Sequence, residues 1–168
     1  MKKILRNVLC IVFALSIMAT MAVSASADEA NEFEEYIRFT GAAQGDVAPA
    51  MESNGDFEFE IKEIKESAKF VADSTSITIW TKAYLYSAAD HQNHYNIDRK
   101  YTITLYRDGL IDTKVGTLTA YSDWMDYSAT FSVKEGKTYY FKVEVTTSLM
   151  STPYTMIGHG NVSNITLK

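Results

Sequence analysis

The run Asp90-His91-Gln92-Asn93-His94-Tyr95-Asn96-Ile97-Asp98 is the most suggestive polar cluster in the sequence. Two histidines three apart, bracketed by carboxylates, could hold zinc or copper if the loop folds back on itself, with His91, His94, Asp90 and Asp98 as ligands. Calcium on Asp90, Asn96 and Asp98 is a second version: oxygen donors at alternating loop positions suit that ion, although no glycine supplies a sharp central turn. Against both, histidines at this spacing in a strand point to opposite faces, and no second motif completes a four-ligand set. The plainer expectation is a well-hydrated loop between two strands, and no cofactor.

The aromatic side chains are the richer set. There are eleven tyrosines and two tryptophans. Tyr121, Asp123, Trp124, Asp126 and Tyr127 gather in or beside one loop, while Trp80, Tyr84 and Tyr86 lie on strands. Tyr106 and Tyr140 fall on the polar phase of theirs. Planar rings flanked by carboxylates suit carbohydrate, because ring faces stack on sugar C–H groups while acids accept hydroxyl hydrogen bonds. The competing account is structural, since tyrosine is a good strand former with its hydroxyl at the sheet rim. Tyr121, Trp124, Tyr127, Trp80 and Tyr84 are the candidate ligand-binding residues.

Catalytic signatures are thin. The sequence contains no Gly-x-Ser-x-Gly elbow, and no histidine stands in a recognisable relation to a serine and an acid. A glycosidase needs two carboxylates across a cleft, and the 21 acidic residues single out no pair. His159, between Gly158 and Gly160, could sit where backbone approaches a ligand; the simpler expectation is a turn or bulge between the two final strands.

The elements that must position these residues begin after a targeting segment. Lys2, Lys3 and Arg6 form a positive region, the 16 residues Val8 to Val23 carry no charge, and Ala25-Ser26-Ala27 is a small-x-small cleavage site. Cleavage is expected between Ala27 and Asp28. The apolar stretch is short for a stable membrane span of about 20 residues. Cys10, the single cysteine, lies inside this segment, preceded by Leu9 and not by a small residue, so no lipid anchor is expected. The processed chain therefore lacks disulfides, thiol nucleophiles and thiolate metal sites. Losing three positive charges leaves 13 basic against 21 acidic residues, a net of −8. That balance disfavours nucleic acid and anionic membranes and leaves cationic or neutral partners open. The signal's short, lysine-rich form suggests a bacterial source.

Residues 28–55 read as an acidic leader or an edge strand with loops, with Tyr36, Ile37 and Phe39 as one short strand. From Asp56 the pattern has a period of two: Phe57, Phe59 and Ile61 alternate with Glu58, Glu60 and Lys62. The stretch Glu60–Lys69 would also suit a helical turn. Further on, Ile77, Ile79 and Thr81 alternate with Ser76, Thr78 and Trp80, which face the other way, and Tyr84 and Tyr86 flank Leu85. Tyr101 to Tyr106 and the segment from Leu110 toward Leu118 form a hairpin around Asp108-Gly109. A second hairpin runs from Ala129, Phe131 and Val133 through Lys134–Lys137 to Tyr139, Phe141, Val143 and Val145. Tyr154–Gly158 and Val162–Leu167 follow, separated by a Gly-His-Gly-Asn bend. Eight or nine short strands without helices predict an all-β, antiparallel two-sheet β-sandwich over 56–168.

The run Glu135-Gly136-Lys137-Thr138-Tyr139-Tyr140-Phe141 resembles the corner before strand F of immunoglobulin-like sandwiches, where the first tyrosine closes a corner through its hydroxyl. Phe141 stands where that family has cysteine. Similar corners occur in jelly rolls, so the resemblance implies a Greek-key sandwich, immunoglobulin-like or jelly-roll-like, and no activity. The expected function is a secreted, non-catalytic binding module for a glycan, peptide or protein outside the cell. The alternatives are a small secreted metal-dependent hydrolase built on Asp90–Asp98, or a toxin-like or structural factor.

Overall fold

The computed structural model describes residues 34–40 and 55–168. The expected signal segment, its expected cleavage site at Ala25, Ala27 and Asp28, and most of the acidic stretch 28–55 lie outside the described residues. Twelve strands and no helix occur among the described residues, all within Glu35–Lys168.

Alternation of apolar and polar residues decides the strands. The longest spans Ser76–Ser87, where Ile77, Ile79, Thr81, Ala83 and Leu85 are buried and Trp80, Lys82, Tyr84 and Tyr86 face the other way. Two antiparallel sheets pack their apolar faces together. The first runs β1 (Tyr36–Phe39), β2 (Gly55–Ile61), β11 (Tyr154–Val162), β5 (Ser76–Ser87); β6 (Gln92–His94) and β9 (Tyr127–Ser132) share the far edge of β5. The second runs β12 (Ile165–Leu167), β4 (Phe70–Ala72), β10 (Thr138–Val145), β7 (Lys100–Arg107), β8 (Thr113–Tyr121), with β3 (Ile64–Glu66) also on β10. Glu60–Lys69 is thus strand and loop, not a helical turn.

With no cysteine in the described residues, aromatic packing joins the sheets. Phe141 of β10 meets Phe57 of β2 with ring centroids 4.8 Å apart, and Phe39 of β1 touches both edge-on. Phe141 fills the place of the missing cysteine as an inter-sheet contact. The tyrosine corner is present: the Tyr139 hydroxyl accepts a hydrogen bond from the Lys134 backbone N–H at 2.8 Å. Gly136 supports it with a φ of 72°, a left-handed conformation that suits a residue without Cβ.

Three local expectations are corrected. The second hairpin is a crossing between sheets, because β9 pairs with β5 and β10 with β7; the corner turns the chain from one layer into the other. Asp108-Gly109 does not make a tight two-residue turn: the return strand starts at Thr113, and Leu110 and Ile111 are exposed. The Gly-His-Gly-Asn segment is no bend but the middle of β11, paired on both sides. Its glycines let the Phe59 and Phe57 rings lie against the backbone, since a Cβ at Gly158 would come 2.6 Å from Phe59 Cε1 and one at Gly160 2.6 Å from Phe57 Cζ.

Candidate functional site

The outer face of the first sheet follows from its register. Three rows cross it: Trp80–Asn161–Asp56, then Lys82–His159–Glu58–Arg38, then Tyr84–Ile157–Glu60–Tyr36. Because side chains alternate, the apolar partners of these residues fill the core while the rows face solvent. β11 therefore presents His159 at the centre of the face, between the β5 aromatics and the β2 carboxylates.

A loop completes the surface. β9 and β6 occupy the ends of the β5 edge and leave a gap between them, which the segment Ser122–Asp126 enters. There the Trp124 N–H donates to the Ala83 carbonyl at 3.0 Å. Asp123 holds the turn, accepting from the Met125 N–H at 3.0 Å and from the Tyr127 hydroxyl at 2.8 Å. Ser122 anchors its base, donating to the Ile97 carbonyl at 2.6 Å and accepting from the Arg99 N–H at 3.0 Å. This framework keeps Trp124 at φ 61°. A bulky side chain there is a backbone outlier, and such strain collects where a side chain must be placed for function.

The Trp124 ring reaches Tyr84 at 5.2 Å, His159 at 5.3 Å and Tyr95 at 5.5 Å between centroids. Tyr84 and Tyr95 meet at 5.2 Å, and His159 meets Trp80 at 5.6 Å. The rings tilt against one another by 50–77°, so the cluster, termed the notch, is uneven and not a flat platform. Lys82 Nζ lies 4.7 Å from the Trp124 centroid and 5.7 Å from that of Trp80, with Asp126 Oδ1 at 4.0 Å.

Electrostatics sharpen the picture. Burial, and then the Lys82 ammonium, hold the His159 imidazole below the usual histidine range, so it is neutral near pH 7. Burial raises the Tyr84 phenol and the Glu60 carboxyl. Tyr127 is pushed up to about 12, first by burial and then by its hydrogen bond to Asp123.

His159 carries a stability consequence whose sign is fixed. The unfolded chain, with an ordinary histidine near 6.5, binds more protons than the native state in the window between the depressed native value and about 6.5. The contribution is complete above that window and is lost as pH falls through it. Thermal unfolding of wild type and His159→Gln between about pH 5 and 8 is expected to show a steeper acid-side fall in Tm for wild type. Parallel curves would remove this role.

The candidate residues divide three ways. Trp80, Tyr84 and Trp124 converge on the notch. Tyr121 and Tyr127 meet each other at 6.0 Å, and Tyr127, on the inner phase of β9 opposite Thr81, supports Asp123 from behind. The histidine loop separates its donors: His94 Nε2 lies 3.0 Å from Asp90 Oδ2, whereas His91 Nδ1 lies 3.2 Å from the Tyr86 hydroxyl. Asp98 is exposed beyond them. Among the described residues no group of three or more His, Cys, Asp or Glu could hold a metal ion. What this loop contributes to the notch is Tyr95. Tyr95 and Lys82 are the members sequence reasoning did not single out; His159, expected in a turn or bulge, lies instead on the outward phase of β11, a signal hidden by its flanking glycines. The sequence matches no protein-family model and no curated protein.

Proposed function

We propose that the chain is an exported, non-catalytic binding module of jelly-roll form, and that the Trp80–Tyr84–Trp124–His159 notch binds an extracellular glycan. The order β2-β11-β5-β9 facing β4-β10-β7-β8 supports the jelly-roll form over the immunoglobulin-like one. In the latter the strand after the tyrosine-corner strand stays in its sheet, whereas β11 leaves β10 for the opposite sheet. The positive, apolar and small-x-small pattern of residues 1–27 supports export.

The observation that carries the reading is Trp124 held at a left-handed φ by its loop, with its ring over the sheet's aromatic face. Ring faces stack on sugar C–H groups, and Asp56, Glu58 and Glu60 alongside can accept from hydroxyls. A tilted set of rings fits one soluble chain better than a flat crystalline surface. Peptide binding by strand addition is poorly served here. The β5 edge is taken by β9 at Ser76–Thr81, by β6 at Leu85–Ser87 and by the Trp124 N–H at Ala83.

Affinity electrophoresis of the processed protein through gels containing soluble cell-wall and plant polysaccharides tests this. At least one polymer is expected to retard wild type, and the double variant Trp80→Ala/Tyr84→Ala is expected to lose that retardation with its circular dichroism unchanged. Equal mobility of both proteins in every gel would overturn the reading.

A further inference from the structure

The row Tyr36–Glu60–Ile157–Tyr84 holds a carboxylate whose chemistry the glycan reading leaves open. Its neighbours on β2 are engaged: Glu58 pairs with Arg38, and Asp56 Oδ1 accepts from Asn161 Nδ2 at 2.7 Å. Asp126 at the rim faces Lys82 at 4.0 Å. Glu60 is half-buried and, among the described residues, makes no ion pair and accepts no hydrogen bond from a side chain. Its cross-strand neighbours are the Tyr36 phenol and the Ile157 side chain, which strip water from it without replacing the lost hydration. Burial raises its carboxyl accordingly. No atom of it is sealed from solvent and left unsatisfied, so an incoming group can reach it.

Such a carboxylate gains most from a cation that arrives with the ligand. The surroundings favour that charge. Along the three rows and their rim, four carboxylates (Asp56, Glu58, Glu60, Asp126) stand against two cations (Arg38, Lys82), and both cations are already paired. Lys62, next after Glu60 in the outward phase, is itself engaged, and its backbone N–H donates to a further carboxylate, Glu35. The Tyr36 ring already attracts a cation, with the Arg38 guanidinium 5.0 Å from its centroid. Tyr84 lies two strands from Glu60, roughly 10 Å away, and joins it to the Trp124 notch. A sugar seated in the notch would thus carry a neighbouring residue's substituent to Glu60.

Resting on the glycan reading, we propose that the ligand is a polysaccharide of amino sugars with free amino groups, and that Glu60 receives a protonated amine beside the Tyr36 ring. Lys82 and Trp124 show the same pairing inside the protein: an ammonium on an aromatic face with a carboxylate near it.

Isothermal titration of wild type and Glu60→Gln with glucosamine oligomers and N-acetylglucosamine oligomers of equal length tests this under mildly acidic conditions. The free-amine oligomer is expected to bind wild type about tenfold more tightly than the acetylated one, the effect of one amine on a carboxylate and a ring face. Glu60→Gln is expected to remove most of that preference. Added salt should weaken only the free-amine complex, a readout that needs no variant. Equal affinity for the two oligomers, or a preference unaltered in Glu60→Gln, would overturn the amine assignment and leave the glycan reading standing. Binding of a lysine-rich peptide but of no sugar would overturn both.

Discussion

Gly158→Ala is expected to lower the unfolding free energy by about 2–3 kcal/mol, the opposite sign to the gain of about 0.5–1 kcal/mol that alanine ordinarily brings in place of a mid-strand glycine. The added Cβ would lie 2.6 Å from Phe59 Cε1 and 2.8 Å from the Lys82 carbonyl oxygen. Neither neighbour can give way cheaply. Phe59 is fully buried, tilted against Tyr101 at 5.8 Å and stacked with Phe57 at 6.3 Å. The Lys82 carbonyl belongs to the paired backbone of β5. Gly136→Ala provides the contrast: nothing lies within 4 Å of its added Cβ, so its cost is the backbone strain of φ 72° alone, about 1 kcal/mol. Urea unfolding of both variants measures the difference. If Gly158→Ala unfolded within about 0.5 kcal/mol of wild type, the close approach of Phe59 to β11 would not be a stabilising constraint. Because Gly158 precedes His159, a shifted β11 would also spread the aromatic notch and weaken ligand binding.

The same glycines mark where sequence reasoning stopped. A period-two pattern made β2, β5 and β7 readable, because one apolar face pins the register of a half-buried strand. In β11 the core phase is occupied by Tyr154, Met156, Gly158, Gly160 and Val162, so two of its five inward positions look like turn residues. They are glycines because Phe57 and Phe59, a hundred residues earlier, need the space. Their role is written in the partner strand and not in the local text. Layer assignment failed for a similar reason at Lys134–Lys137. A short connection after alternating residues reads as a hairpin, and the tyrosine corner alone hinted that the chain changes sheets.

For the site, strand phase correctly put Trp80 and Tyr84 on the outward side. It could not reveal that a loop forty residues on would bring Trp124 to the same face. Proximity in sequence also grouped Tyr127 with Trp124, whereas β9 pairing turns Tyr127 inward to hold Asp123. The histidine loop attracted attention through residue types that bind metals, yet its place beside β5 recruits Tyr95. Chemistry-bearing residues were visible; the faces they share required the register.

Trp124→Ala and Trp124→Gly are expected to agree in one measurement and differ in another. Both remove the ring that touches Tyr84, Tyr95 and His159, and both should weaken glycan binding by about 30-fold or more, as for an aromatic at the centre of a contact patch. Their stabilities should diverge. Alanine keeps the left-handed conformation imposed by the Trp124 N–H bond to Ala83 and by the Asp123 turn, and so retains its cost. Glycine adopts φ 61° freely and should leave the protein about 1 kcal/mol more stable than the alanine variant. Titration with the polymer that retards wild type, together with urea unfolding, gives both quantities from the same preparations. Equal weakening despite unequal stability assigns the loss to the missing ring and not to a loosened fold. Should Trp124→Gly bind as wild type does, the notch is not where the ligand sits, and the strained loop serves only to cover the open stretch of the β5 edge.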